Sequence, residues 1–439
     1  MTHEPTPLSS LSHNLEGSQI LHYSNAVKSL IAKGKDVFNF TVGDFNPSIF
    51  PIPMELKKEA MKAYAEDYTN YPIAEGNADL RGAIRIFEKE WSDLNYETDE
   101  ILVASGGRPL IYAAFRAICD EGDGVIYGLP SWNTDYYVQL VGARAIPITT
   151  YPEDGFLLTA QTLEPHLKEA VMLCICAPQN PTGTVYSKSE LSAICTMVAN
   201  ENASRGPDQK KLYILFDSMY GNLVSKGFEQ TNPVLLSPSL RPYVITINAI
   251  SKIFAATGLR VGWCLGPKHV LSKMKNLLTH LGAWAPMPEQ KAVARFLPVS
   301  SAVSKYLRTL KSELNERHYK LHSGIMTLRN QGIPIDALIP RGGLYLSLHI
   351  DIVGKMAKGK ILETAPDVAG FLLQHAGIAV LPFSVFGTSN TLPWFRLSVG
   401  TCRMEDIPIM LQNLRIVLKP FVKKEDNMHE IISATTVSQ

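Results

Sequence analysis

Short apolar runs rich in β-branched residues recur through the middle of the chain, each followed by a stretch with helical spacing. Residues 100–104, 125–127, 171–177, 212–216, 244–248 and 261–265 read as strands. Residues 109–119, 134–141 and 187–200 read as helices between them. The strand runs are apolar without alternation, as expected of strands covered on both faces, so they predict a mostly parallel sheet of at least six strands with helices on either side. From 270 to 328 the spacing is mostly helical, broken at Ala285-Pro286-Met287-Pro288. After Pro340 the style changes: short strands at 344–349, 378–381 and 394–398 alternate with helices at 366–376 and 404–417. The expected fold class is therefore α/β, with a large domain at 46–325 and a smaller α+β domain at 326–422. Residues 1–45 are expected to pack with the small domain, and 423–439 to form a polar tail. Residues 202–210, polar with Gly and Pro, read as a surface loop.

Composition changes this picture little. The chain has 439 residues, which suggests two or three folding units. Its apolar fraction of 46% and charged fraction of 19% are ordinary for a soluble globular protein. A net charge of +1 supplies no field to draw nucleic acid or an anionic membrane. The basic pair Lys423-Lys424 reads as part of a solvated tail. Six cysteines lie mostly in apolar runs and read as reduced, buried thiols; Cys174 and Cys176 form C-x-C, and no Cys/His set completes a metal site. The start of the chain has no basic and apolar signal pattern, and no apolar run approaches the ~18 residues of a membrane span. A cytoplasmic protein is expected.

Candidate chemistry sits where the strands end, which is where open α/β sheets bind ligands. Ser105-Gly106-Gly107 joins a strand to a helix; it reads either as a plain glycine turn or as an anion site at a helix N-terminus. Asn180, in Gln179-Asn180-Pro181-Thr182-Gly183, reads either as part of a tight turn or as an amide donor fixed in a cleft. Asp217 follows five apolar residues. It is either a loop cap or a partly buried carboxylate that needs a cationic partner. Lys252 follows another buried run and precedes small residues and Arg260. A lysine held in such surroundings loses basicity and becomes a nucleophile toward carbonyls. Arg396, between Phe395 and Leu397 in an alternating strand, is either half of an ion pair or a fork for a carboxylate. Taken together these parts call for a ligand with an aldehyde, a phosphate, a ring nitrogen and a ring oxygen, which is pyridoxal phosphate.

From about Phe38 to Val417 the chain resembles the class I aminotransferases of the pyridoxal-phosphate fold-type I superfamily, relatives of aspartate aminotransferase. The motifs that carry the resemblance are Asn180-Pro181-Thr182-Gly183, Asp217-x-x-Tyr220, Ser251-Lys252 through Arg260-Val261-Gly262, and Phe395-Arg396-Leu397-Ser398. Less specific matches are Thr41-Val42-Gly43-Asp44, Tyr71 through Gly76 to Arg81, and Pro130-Ser131-Trp132.

The resemblance implies roles. Lys252 is the Schiff-base lysine that carries a proton between substrate and cofactor, and Asp217 pairs with the pyridine nitrogen. Asn180 and Tyr220 bond the ring oxygen, and Trp132 stacks on the ring. Arg260, Ser251 and the Gly107-Arg108 backbone hold the phosphate. Arg396, with Gly43 nearby, takes the substrate carboxylate. Tyr71 reaches the phosphate of a neighbouring subunit, which implies a homodimer. The expected function is amino transfer between an L-amino acid and a 2-oxo acid, with a β-eliminating lyase on the same scaffold as the alternative. A non-catalytic regulator is disfavoured, since only about forty residues precede Gly43 and Lys252 and Arg396 are intact. The chain departs from the family in having Ala249 three residues before the lysine and Arg108 after the glycine turn. Glu16 lies near where aspartate-reading relatives carry a basic residue. Trp284 falls in the region that shapes the side-chain pocket, and positive charge for a second carboxylate is left to Arg108 or Arg116.

Overall fold

The computed structural model describes residues 8–17 and 19–422; the polar tail expected at 423–439, with Lys423-Lys424, lies outside the described residues, as does the start of the N-terminal segment. Seven strands form the main sheet: β1 (Ile101–Ala104), β2 (Gly124–Leu129), β3 (Arg144–Thr149), β4 (Ala170–Cys176), β5 (Tyr213–Asp217), β6 (Val244–Ala249) and β7 (Gly262–Leu265). Their order across the sheet is β1-β7-β6-β5-β4-β2-β3. All neighbours are parallel except β7, which runs against both β1 and β6. The start of β7 therefore lies at the same edge as the ends of β1, β4, β5 and β6.

Successive side chains point to opposite faces of a strand, and both faces here are covered. On one side Leu215, Ile245 and Ile247 pack with the helices Gly107–Ile118 and Lys268–Leu281. On the other, Ile214 and Phe216 pack with Lys188–Ser204, and Val103 and Trp263 pack with Ala78–Ser92 and Met287–Phe296. This double burial is why the strands read as unbroken apolar runs.

A second sheet of four antiparallel strands contains β8 (Ile335–Ala337), β9 (Tyr345–Ile350), β10 (Leu381–Pro382) and β11 (Trp394–Ser398), in the order β10-β11-β9-β8. Phe38 and Asn39 pair in parallel with Ile378 and Ala379, and Phe40, Phe45 and Phe50 join the core of this smaller unit. The helix Ser300–Asn330 spans both units: Val303 and Leu307 pack in the large core, and Leu310 through Leu328 in the small one.

Four local expectations need correction. Strand β3 is missing from the sequence reading; it is an edge strand with Pro147 inside it and only alternate residues buried, a weaker signal than its neighbours give. The expected strand at 378–381 is two short pieces, Ile378–Ala379 and Leu381–Pro382, in different sheets. The loop expected at 202–210 begins inside a helix, because Asn202 is buried and bonds both the amide and the carbonyl of Leu212 (2.7 and 2.9 Å). Finally, β11 is buried along its whole length and does not alternate.

Candidate active site

One cavity of about 380 Å³ opens where the sheet edge meets the small unit. Gly43, Gly107, Arg108, Trp132, Asn180, Asp217, Tyr220, Ser251, Lys252, Arg260 and Arg396 all line it. These residues span more than 350 positions of sequence. The chain crossings of the parallel sheet bring them together, because Asn180, Asp217 and Lys252 lie at or just beyond the ends of three adjacent strands.

Lys252 is not the last residue of a strand, as its sequence context suggests. It stands on a single helical turn, Ile250–Ile253, just beyond β6. Its Nζ donates to the Gly43 carbonyl at 2.5 Å. Burial brings the amine down to about 8; Asp44 acts upward, and Arg396, Arg108 and Arg260 act downward.

Asp217 lies beside Cys176 in the register of β4 and β5. Its Oδ1 accepts from the Met219 amide at 3.0 Å. No side-chain cation lies within 4 Å of it among the described residues. Burial pushes the carboxyl up to about 6, against the Met219 amide, the Cys176 thiol and the more distant Lys252 charge. The cationic partner expected for Asp217 is thus not supplied by a side chain.

The glycine turn after β1 leads into the 12-residue helix Gly107–Ile118, whose first residues, Gly107 and Arg108, line the cavity. Gly106 has φ +91°, and a Cβ there would come within 2.3 Å of Arg260 Nη2. Arg260 itself has φ +55°. Its guanidinium donates to the carbonyls of Thr257 (2.8 Å) and Ser105 (3.0 Å), which fixes its charge beside that helix end. Arg108 lies over the Trp132 ring, 4.9 Å from its centre. Arg116 donates to the Val141 carbonyl at 3.2 Å and does not line the cavity, so of the two arginines only Arg108 is in reach of a ligand.

Arg396 is almost completely buried. It donates to Asn180 Oδ1 (2.9 Å) and to the Thr41 carbonyl (2.7 Å), and its Nε has no partner. The Tyr220 hydroxyl is bonded to that of Tyr345 at 2.8 Å. Tyr345 escaped the sequence reading. It carries the Arg396 guanidinium on its ring face (4.5 Å), and its hydroxyl would meet a Cβ at Gly43 at 2.5 Å. The glycine at 43 is therefore required by close approach. Ile20, Ser24, Asp44 and Thr257 also line the cavity; Asp44 and Thr257 lie inside matching motifs but carry no role in the sequence reading, and Ile20 and Ser24 sit in no motif.

Tyr71 is not in this cavity. It is 86% exposed and packs edge-on against Trp284, with ring centres 5.5 Å apart. Trp284, expected near the side-chain pocket, joins that surface cluster and does not line the cavity. Glu16 is exposed and also outside it. Among the described residues no group of His, Cys, Asp and Glu could hold a metal ion, and no helix is long and apolar enough to cross a membrane.

Comparison with known proteins agrees with this geometry. The family "Aminotransferase class I and II" matches residues 35–414. An aspartate aminotransferase of Streptomyces avermitilis is 30% identical over 371 residues, covering 83% of this chain and 86% of the relative. A probable aspartate/prephenate aminotransferase of Rhizobium leguminosarum is 29% identical over 395 residues, covering 88% and 92%. The crystal structure of the aspartate aminotransferase from Rhizobium meliloti superposes with a TM-score of 0.84 at 26% identity, covering 94% of this chain and 99% of that one. A structure of a Thermus thermophilus aspartate aminotransferase double mutant gives 0.83 at 25% identity, covering 94% and 100%. With the match spanning nearly all of both domains, the chain belongs to the class I and II aminotransferases, fold-type I enzymes that move an amino group between an amino acid and a 2-oxo acid.

Proposed function

We propose that this aminotransferase carries pyridoxal 5′-phosphate on Lys252 and accepts aspartate or a related dicarboxylic amino acid among its donors. The observation that carries the cofactor assignment is Asp217, a partly buried carboxylate without a side-chain cation among the described residues, on the wall of a cavity that Lys252 also lines. A protonated ring nitrogen fits there and would relieve the cost of burying the acid. The residues fit the rest of the group as well. The Gly107-Arg108 backbone at the helix end, Arg260 and Ser251 would hold a phosphate, and Trp132 would cover one ring face. Asn180, with Oδ1 taken by Arg396, keeps its Nδ2 as a donor for a ring oxygen, and Tyr220 offers its hydroxyl.

When bound, pyridoxal phosphate supplies an aldehyde that condenses with amines and a ring that takes up the electron pair of the substrate's Cα–H bond. The protein's own work is to bind, orient and move protons. Arg396 grips the substrate carboxylate, and Asn180 and Thr41 fix the orientation of its guanidinium. Asp217 holds the proton of the ring nitrogen. The Lys252 amine, near 8, is close enough to neutrality to take the proton from Cα and return it. Gly43 lets the chain lie against the Tyr345 hydroxyl, where a side chain would collide.

Dicarboxylic donors are supported by the relatives' names and by Arg108, the cavity arginine not bound to a backbone carbonyl. The same reading includes a homodimer. Its support is Tyr71, an exposed aromatic that packs on the half-buried Trp284 and has no role in its own chain's cavity. A reducing, cytoplasmic setting is supported by six free cysteines, four of them buried.

Borohydride reduction followed by peptide mass mapping should find the cofactor adduct on Lys252 in wild type and none in Lys252→Ala. Oxo-acid-dependent amino transfer should far exceed release of pyruvate and ammonia; the reverse would favour the β-eliminating lyase. An adduct elsewhere, or none, would sink the assignment.

A further inference from the structure

The Lys252 amine stands in a field of arginines. Arg108 reaches it from the helix Gly107–Ile118, Arg260 from the turn before β7, and Arg396 from β11 of the small unit. Asp217, Tyr220 and Tyr345 also face the cavity, but the two tyrosine hydroxyls are bonded to each other, and Asp217 makes no ion pair with Lys252.

One carboxylate opposes the arginines. Asp44 belongs to the extended strap that joins Phe40 to Phe50, and it follows Gly43, whose carbonyl accepts from Lys252 Nζ. Its Oδ1 accepts from Thr257 Oγ1 (2.8 Å) and from the Phe45 amide (2.8 Å). The Thr257 carbonyl in turn accepts from Arg260 Nη1 at 2.8 Å, so the acid is tied to the turn that carries one of the opposing charges. The strap is pinned from the other side too. The Asn46 amide donates to the Gly400 carbonyl at 2.9 Å, and a Cβ at Gly400 would come within 2.1 Å of the Asp44 carbonyl oxygen. No side-chain cation lies within 4 Å of Asp44 among the described residues, so its charge is not spent on an ion pair.

We propose that Asp44 is a positioning residue of the reaction: held by Thr257 where the N-terminal strap meets the large domain, its carboxylate offsets the three arginines at Lys252 and so fixes the pH range over which that amine holds and releases its proton. Asp44 acts through Lys252 and does not touch the substrate. The field it exerts on the amine is upward, against the downward push of Arg396, Arg108 and Arg260. Thr257 ties the carboxylate to the large domain, and the Phe45 amide is its second donor. The proposal rests on reading Lys252 as the cofactor-bearing lysine.

The test uses the full-length protein loaded with pyridoxal phosphate. Its visible absorbance is titrated against pH in wild type, Asp44→Asn, Asp44→Glu and Thr257→Val. Asparagine keeps both hydrogen bonds and loses only the charge. The Asp44→Asn midpoint should move to lower pH by about half a unit or more, and the acid limb of kcat should move with it. Asp44→Glu should restore the wild-type midpoint. Thr257→Val, which keeps the charge but frees it, should shift in the same direction by less. An unchanged midpoint in Asp44→Asn, with the borohydride adduct still on Lys252, overturns the proposal. If Asp44→Asn does not fold, an unchanged midpoint in Thr257→Val overturns it. Absence of the adduct in wild type removes the reading of Lys252 itself, and the proposal with it.

Discussion

Glu88 is fully buried and Asp217 partly so, and burial pushes both up from the ordinary carboxylate range. They sit in opposite surroundings. Glu88, on the helix Ala78–Ser92, accepts from Trp263 Nε1 (2.7 Å) and Asn248 Nδ2 (3.1 Å), and so ties the helix to β7 and β6. It is packed in by neutral donors and lines no cavity that holds Lys252. Asp217 has one backbone amide and a thiol for partners and faces an open chamber. A buried acid with its lone pairs met by fixed neutral donors is a structural clamp. One left short of partners beside a cavity is built for a cation that comes from outside the chain.

The comparison breaks most directly at Asp217. Asp217→Ala should lower kcat by about 10³-fold or more, while Glu88→Gln should leave kcat within about twofold. Steady-state rates on both variants check this; equal losses would erase the distinction. Arg396→Lys should come next. Losing the planar fork should lower kcat/KM by about 10²-fold, mostly through KM for the amino acid, as a substrate series would reveal. For stability the order should invert. Glu88→Ala strands the Trp263 and Asn248 donors and should cost about 2–4 kcal/mol in denaturant unfolding, with turnover per folded molecule retained.

The smallest effect is a pH dependence. A carboxyl with a raised folded-state pKa contributes stability below its unfolded value, near 3.8, and that contribution is lost as pH rises through about 6. The cofactor-free protein should therefore carry the cost of an ionised Asp217 at pH 7.5. Asp217→Asn should raise its Tm by about 1–4 °C there, with the difference fading toward pH 4. A Tm gain that persists unchanged at pH 4 would refute this origin.

Much of the site was readable in the chain because its parts are local. Asn180, Asp217 and Lys252 each follow an apolar strand run, and a polar residue at such a point stands out against its neighbours. Tyr345 did not stand out, because an aromatic at the start of a strand is what a small-domain core needs anyway; only the hydroxyl contact with Tyr220 reveals a second role. Asp44 and Thr257 are 213 positions apart, and no periodicity signals their bond. Strand β3 was missed for a different reason: an edge strand buries only part of its surface and carries a weaker apolar run.

The order of apolar and polar residues determined the layered α/β core and the identities of the lysine, the acid and the arginine, since these depend on burial along short segments. Which groups meet depended on the crossing of strands and the closing of one domain on the other. Tertiary structure alone decided that Asp217 has no side-chain cation among the described residues, that Arg108 and not Arg116 lines the cavity, that Tyr71 turns away, and that Asp44 is tied to Thr257 beside Lys252. The physical reason is that pKa and hydrogen bonding are set by every charge and dipole within a few ångströms, and most of those neighbours here come from elsewhere in the chain.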